Sequence, residues 1–132
     1  MLPSPEFEEI DTVINQFLKT TGKGYHIRIH NRPRTDWLIF EWRQLAWKRD
    51  GMELGLEIYP VFTDKNEISS WTFDAFCYYD LNGRRHYINK PFLENVPLEL
   101  IVNKLAELLP IAFSAIQSIS FDEVPPVVKL RQ

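Results

Sequence analysis

The chain has 132 residues, of which 45% are hydrophobic and 25% charged, and its formal net charge is −3. This length predicts one domain with its own core, and the apolar fraction excludes an intrinsically disordered chain. No apolar run reaches the ~18–20 residues of a membrane span, and no signal-peptide pattern stands at the N-terminus. The lone cysteine, Cys77, excludes an internal disulfide, so we expect a cytoplasmic protein.

The N-terminal segment predicts an amphipathic helix over residues 5–20. Ser4 is a candidate N-cap, and Pro5 suits the first helical position. Gly22 and Gly24 are expected to end the helix. Apolar residues at helical spacing predict one hydrophobic face, which consists of Phe7, Ile10, Val13, Ile14, Phe17 and Leu18.

The middle of the chain predicts a sheet. Of 18 aromatic residues, 13 lie between Trp37 and Phe92, and aromatic side chains favour strands. Hairpin signals at Asp50-Gly51 and Asn82-Gly83 favour an antiparallel meander. Pro60 cannot donate to a ladder, so strand three ends or bulges there, or the strand order is not sequential. Alternating patterns place the five strands at about residues 25–30, 36–48, 52–63, 68–80 and 84–89.

A second amphipathic helix is predicted over residues 97–119. Asn95 is its candidate cap, and Pro110 predicts a kink or break near Leu109 because it removes one backbone hydrogen bond. Residues 120–132 contain consecutive prolines and are predicted to form an extended tail.

These elements predict a single α+β domain over residues 1–132, in the order α-β-β-β-β-β-α. A five-stranded, mainly antiparallel sheet with one apolar face needs a cover, and the two flanking helices supply it in a two-layer sandwich. The other face is then open to solvent or to a partner. The alternative is one helix on each face, which would make most of the aromatic residues part of the core.

The open face is the predicted interaction surface. We expect the helices to cover Leu38, Phe40 and Trp42 of strand two. Because side chains alternate along a strand, charged and aromatic residues at the alternate positions then lie on the open face. Trp, Tyr and Arg are enriched at binding hot spots, so this face suits a protein partner or a homodimer. The predicted partner-binding residues are Arg43, Trp47, Glu57, Tyr59, Phe76 and Tyr78.

No sequence motif indicates catalysis, so we expect no catalytic residue, cofactor or metal. There is no phosphate loop, dinucleotide fingerprint or glycine-flanked serine elbow. Alternation points Cys77 toward the core among aromatic residues, where a cysteine packs without reacting.

Two groups of side chains leave a small metal-dependent enzyme open as an alternative. His26 and His30 lie ~13 Å apart if they are on one strand, and His86 would have to join one of them across the sheet. The histidines are interpreted as surface residues. The acidic residues are interpreted as a solvated face, and they are Glu41, Glu53, Glu57 and Asp74.

The charge distribution leaves a nucleic-acid-associated protein as a second alternative. Residues 19–49 carry eight basic and two acidic side chains, a local balance of +6, whereas residues 50–83 carry one basic and seven acidic side chains, a balance of −6. We expect strand three to neutralise strand two across their hairpin. A basic rim would remain for single-stranded nucleic acid, formed by Arg28, Arg32, Arg34, Arg84 and Arg85.

In size, acidity and helix–sheet–helix order, the chain resembles small bacterial toxin-neutralising immunity proteins and secretion chaperones. The likeness is one of shape and involves no particular residues, and fold alone does not imply function. It implies a non-enzymatic protein that masks a partner. Together with the lack of a catalytic motif, it makes a protein-binding module the leading hypothesis.

Overall fold

The computed structural model describes residues 5–21, 26–36, 38–49 and 51–129. Among these residues no helix is both long and apolar enough to cross a membrane. Five strands form one antiparallel sheet in the order β1-β2-β3-β4-β5, which confirms the predicted meander and α+β class. The elements are α1 (Pro5–Thr21), β1 (His26–Pro33), β2 (Ile39–Arg49), β3 (Met52–Phe62), β4 (Ile68–Leu81), β5 (Arg84–Val96), α2 (Leu98–Gln117) and α3 (Pro126–Lys129).

Some predicted features lie outside the described residues. These are the Ser4 cap, the glycines at 22 and 24, Asp50 of the β2–β3 turn, and residues 130–132 of the tail. The β4–β5 turn is described and is confirmed, since Asn82 has φ 53° and Gly83 has φ 75°. Positive φ at both central residues is what a two-residue hairpin turn of type I′ needs.

Both long helices cover the same face of the sheet. Phe7 of α1 contacts Trp71 of β4 edge to face, with ring centroids 5.2 Å apart. Phe17 of α1 contacts Phe113 of α2 in the same manner at 5.3 Å. The alternative with one helix on each face is therefore wrong. Buried sheet residues that join the helices in one core are Leu45, Trp47, Leu54, Leu56, Ile58, Trp71, Phe73, Ala75 and Cys77.

The predicted orientation of β2 is wrong. Leu45 and Trp47 face the helices, and Trp47 packs against Phe113 with centroids 5.0 Å apart. Because side chains alternate along a strand, Phe40 and Trp42 point the other way. The prediction assumed that the charged side chains of β2 face outward. Because β2 has large side chains on both faces, this assumption selected the wrong face as the buried one.

Arg43 also faces the helices and is only 2% exposed. Its guanidinium donates to both carboxylate oxygens of Asp11 on α1, at 2.6 Å and 3.0 Å, and lies 4.3 Å from the Phe7 ring centroid. Glu41 lies 3.9 Å away on the same side. A bidentate carboxylate and an aromatic face offset the cost of burying the arginine, which the β2 sequence alone does not reveal.

Pro60 is accommodated within a sequential sheet. The ladder between β2 and β3 ends at the pair Arg43/Ile58, so β2 no longer pairs with β3 at residue 60. On the other side Pro60 lies opposite Trp71, and an irregularity follows between Val61 and Phe62. The predicted bulge is therefore found next to the proline, where the missing N–H costs little.

The edge strands extend further than predicted. β1 continues to Pro33, beyond its predicted end at residue 30, and β5 continues through Pro91 to Val96, beyond its predicted end at residue 89. Proline is tolerated in both because an edge strand has one side without a ladder.

Helix α2 begins after Pro97, which occupies the N-cap position, so the prediction of Asn95 as cap is wrong. Asn95 instead has φ 57° at the end of β5. The predicted break at Pro110 is also not found, since the helix continues to Gln117. Pro110 and Ala106 are both exposed, so water can reach the carbonyl that lacks its helical partner.

The predicted extended tail is wrong for the described residues up to 129. Phe121, Val124 and Val128 are at most 2% exposed and belong to the core, and α3 lies within this segment. Pro125 precedes this short helix and Pro126 is its first residue, a position where proline fits without losing a hydrogen bond.

Gly55 marks a close approach between β2 and β3. A β-carbon at this position would overlap the backbone carbonyl of Leu45. Its partner on β4 is Phe76, which is completely buried on the face away from the helices. Glycines of this kind allow a sheet to curve, so Gly55 is a steric requirement of this fold.

We expect Asp11→Asn to lower the free energy of unfolding by about 3 kcal/mol, because it leaves Arg43 buried without its bidentate partner. Urea unfolding followed by tryptophan fluorescence measures this loss. Glu9→Gln is the matched control, since Glu9 is exposed on the same helix. Equal losses in the two variants would contradict the role of the ion pair.

We expect Gly55→Ala to destabilise the protein by at least about 2 kcal/mol, because the backbones of β2 and β3 must separate to admit a methyl group. Gly83→Ala is the matched control: nothing lies within 4 Å of its β-carbon position, and only its positive φ opposes the change. That strain costs about 1 kcal/mol. Thermal unfolding compares the two, and a smaller loss at position 55 would contradict the close approach.

Candidate binding pocket on the open sheet face

The face of the sheet turned away from the helices is called the open face. Its side chains come from all five strands, as the register requires. It combines aromatic, acidic and basic groups: Arg28, His30, Arg32, Phe40, Trp42, Gln44, Glu53, Glu57, Tyr59, Asp74, Phe76, Tyr78, Arg85, Tyr87 and Asn89.

A cavity of about 370 Å³ opens on this face and is called the acidic pocket. It lies where β2 and β3 diverge beyond their last pair, so that Phe40 and Trp42 stand on one side and Tyr59 on the other. The interruption of the ladder near Pro60 therefore positions the pocket. Its lining residues are Arg32, Phe40, Trp42, Glu57, Tyr59, Asp74, Tyr78, Tyr87 and Asn89.

Glu57 and Asp74 lie directly opposite each other on β3 and β4 and are 5% and 0% exposed. Glu57 accepts hydrogen bonds from the Gln44 amide and from the Tyr87 hydroxyl, one on each carboxylate oxygen. The Gln44 amide also donates to the Tyr78 hydroxyl at 3.0 Å. Side chains of β2 and β5 thus hold this carboxylate from two sides.

Asp74 is held in the same way. The Tyr59 hydroxyl donates to Oδ1 at 3.3 Å, and the Asn89 amide donates to Oδ2 at 2.8 Å. All four donors to Glu57 and Asp74 are neutral groups. The hydrogen bonds lower the cost of burying the carboxylates but do not cancel their charge.

The other buried carboxylates of the described residues have arginine partners. Glu53 forms ion pairs with Arg28 and Arg85, and Glu41 lies 3.9 Å from Arg43. By contrast, no lysine, arginine or histidine among the described residues forms an ion pair with Glu57 or Asp74. In the described part of the chain, these two adjacent buried carboxylates at the base of the pocket therefore have no ion-pair partner.

This arrangement raises the pKa of three side chains at the pocket, namely Glu57, Tyr59 and Tyr87. Burial raises the pKa of Glu57, and the charge of Asp74 adds to that effect, while the hydrogen bonds from Tyr87 and Gln44 oppose it. Burial and the neighbouring Asp74 raise the pKa of Tyr59 to about 12. Burial and the hydrogen bond to Glu57 also raise the pKa of Tyr87. Both phenols therefore remain hydrogen-bond donors at neutral pH.

The aromatic wall of the pocket already stacks on polar and cationic groups. The His30 ring is parallel to Trp42 with centroids 4.9 Å apart, and its Nε2 lies 2.8 Å from the Gln44 side-chain oxygen. The Arg32 guanidinium lies 5.1 Å from the Phe40 ring centroid and 5.8 Å from that of Trp42. Arg32 thus stacks at the pocket wall and does not pair with the carboxylates.

Four of the six predicted partner-binding residues lie on the open face: Glu57, Tyr59, Phe76 and Tyr78. Arg43 and Trp47 do not, because β2 has the opposite orientation and both are buried against the helices. Phe76 is fully buried and contacts Tyr78 edge to face at 5.5 Å, so it supports the surface from below.

The predicted basic rim is divided between two ends of the face. Arg28 and Arg85 meet at Glu53, and Arg85 lies 4.6 Å from the Tyr78 ring centroid. At the other end, Arg32 stacks as described, and Arg34 donates to Asn66 and lies over Phe62. Arg84 is exposed in the β4–β5 turn. The five arginines do not form one continuous surface.

The histidines do not converge. His30 is on the open face against Trp42, whereas His86 stacks on Tyr79 at 4.8 Å on the helix side. In the part of the chain described, no three His, Cys, Asp or Glu side chains lie close enough to hold a metal ion. Burial raises the pKa of the Cys77 thiol to about 11, as expected for a packed cysteine.

Several residues of the pocket were not among the predicted partner-binding residues. Gln44 supports the pocket through its hydrogen bond to Glu57, and the lining residues concerned are Arg32, Phe40, Trp42, Asp74, Tyr87 and Asn89. Gln44, and not Arg43, lies opposite Glu57, which follows from the register of β2 against β3. The hairpin at residues 50–51 carried this information, because counting back from the turn sets the cross-strand pairs. Tyr87 and Asn89 follow in the same way from the Asn82-Gly83 turn.

The raised pKa of Glu57 predicts a stability difference that depends on pH. The folded chain holds this proton more tightly than the unfolded chain, so stability is lost as pH rises from about 4.3 through the raised pKa. We expect Glu57→Gln to gain stability relative to the wild type across that window. Urea unfolding over a pH series measures it, with exposed Glu99→Gln as control, and parallel curves for Glu57→Gln and wild type would contradict the assignment.

No protein-family profile matches the chain, and comparisons with curated proteins and with solved structures return no significant match.

Proposed function

We propose that this protein is a non-enzymatic binding module that holds a protein partner on its open face, with an arginine or lysine side chain of the partner in the acidic pocket. One observation carries the proposal: Glu57 and Asp74 are buried side by side, their hydrogen-bond donors are neutral, and no described residue forms an ion pair with them. Buried carboxylates are normally paired, and a cation from a partner would complete this pair.

The shape and lining of the pocket support a long cationic side chain as the occupant. A cavity of about 370 Å³ accommodates such a group. Tyr59 and Tyr87 border the carboxylates, and aromatic faces attract ammonium and guanidinium groups. Arg32 stacked on Phe40 and Trp42 is an example of the same interaction within the chain.

The surroundings of the pocket support a protein as the carrier of that cation. Tyr87 is 45% exposed at its rim, and Val61 on the same face of β3 is 39% exposed. Tyrosine on this face, and arginine on the partner, are residue types enriched at the centres of protein interfaces. The surface of the partner that binds this face would be covered, as an immunity-type or chaperone-like protein covers the surface of its target.

The proposal predicts that an end-blocked glycine peptide with one arginine binds the wild-type protein, whereas the same peptide with neutral citrulline binds at least about tenfold more weakly. The reason is the loss of charge-assisted hydrogen bonds, which are worth roughly 1.5–3 kcal/mol. NMR titration detects affinities in the millimolar range that a single side chain provides. The same peptide with lysine in place of arginine tests whether an ammonium group also binds in the pocket.

Glu57→Gln and Asp74→Asn are each expected to weaken the arginine peptide by about tenfold. Glu99→Gln is the matched control, because it removes one exposed charge on α2. Circular dichroism and thermal unfolding confirm that each variant is folded. Equal affinity for arginine and citrulline peptides, or no binding of either, would overturn the proposal.

A further inference from the structure

The open face has a second charged region beside the acidic pocket. Arg28 and Arg85 both pair with the single carboxylate of Glu53, which is buried, while their own side chains are 34% and 49% exposed. Lys48 lies opposite Glu53 in the register, is exposed and forms no ion pair with a described residue. Three cations therefore surround Glu53, and one of them, Arg85, also forms an ion pair with Asp80 at 3.6 Å.

A cavity of about 690 Å³ lies over these groups. Its described lining also includes Arg49 and Asp80, so that four cations oppose two carboxylates there. The excess of charge is positive, which is the reverse of the acidic pocket.

The two regions are contiguous. Tyr78 lines both cavities, and the Arg85 guanidinium lies over its ring. Glu53 and Glu57 are four residues apart on β3, which corresponds to ~13 Å along a strand. An extended peptide spans the same distance between residues i and i+4.

We propose that the cavity above Arg28, Lys48 and Arg85 is a second subsite that takes a carboxylate of the same partner segment, so that the open face reads a basic and an acidic residue about four positions apart. This inference rests on the proposed function, because the basic residue anchors the segment in the acidic pocket. The opposite charges of the two subsites would set the direction in which the segment lies.

The test uses end-blocked glycine–serine peptides with one arginine and one glutamate four residues apart, in both sequence orders. The reference peptides carry glutamine in place of the glutamate. We expect one order to bind at least about fivefold more tightly than its glutamine reference. The net charge of the protein is −3, so a non-specific electrostatic effect would act in the opposite direction.

Arg85→Gln should bring the ratio of the affinities for the glutamate peptide and its glutamine reference close to one. Arg84→Gln is the matched control, since it removes the same charge from the neighbouring exposed residue, and it should keep the ratio. If all peptides bind equally, the second subsite is wrong and the acidic pocket stands. If none binds, the proposed function is overturned and the second subsite with it.

Discussion

The buried ion pair between Arg43 and Asp11, together with the burial of Leu45 and Trp47, fixes the face of β2 that meets the helices. Because side chains alternate along a strand, placing Arg43 in the core directs Gln44 to the open face, where it bonds to Glu57. In the opposite orientation Arg43 would stand next to Glu57 and neutralise it. Asp11 therefore holds Arg43 on the helix side of the sheet and away from the acidic pocket.

Much of the architecture followed from local patterns. Strand alternation, the Asn82-Gly83 turn and the helical spacing of apolar residues in α1 and α2 correspond to the observed elements, because each of these signals acts over a few residues. The orientation of β2 did not follow, since it depends on a contact between Arg43 and a residue 32 positions away. The burial of Phe121, Val124 and Val128 was not predicted for the same reason, since it depends on tertiary contacts.

The site was predictable only in part. Glu57, Tyr59 and Tyr78 were placed correctly on the open face by the alternation of β3 and β4. The sequence did not reveal which acids form ion pairs. Glu53 has arginine partners, whereas Glu57 has none among the residues that the structure describes, although both lie on one strand. That difference arises from the edge strands, which supply arginines at one end of the sheet and neutral donors at its centre.

The hydrogen bonds to Glu57 and Asp74 have a consequence for the entropy of binding. Four donors from three different strands fix both carboxylates in the free protein. The conformational entropy of these side chains is therefore lost during folding and not during association. A ligand that enters the pocket meets a rigid pair of acceptors, and the ordering it must undergo is confined to its own chain.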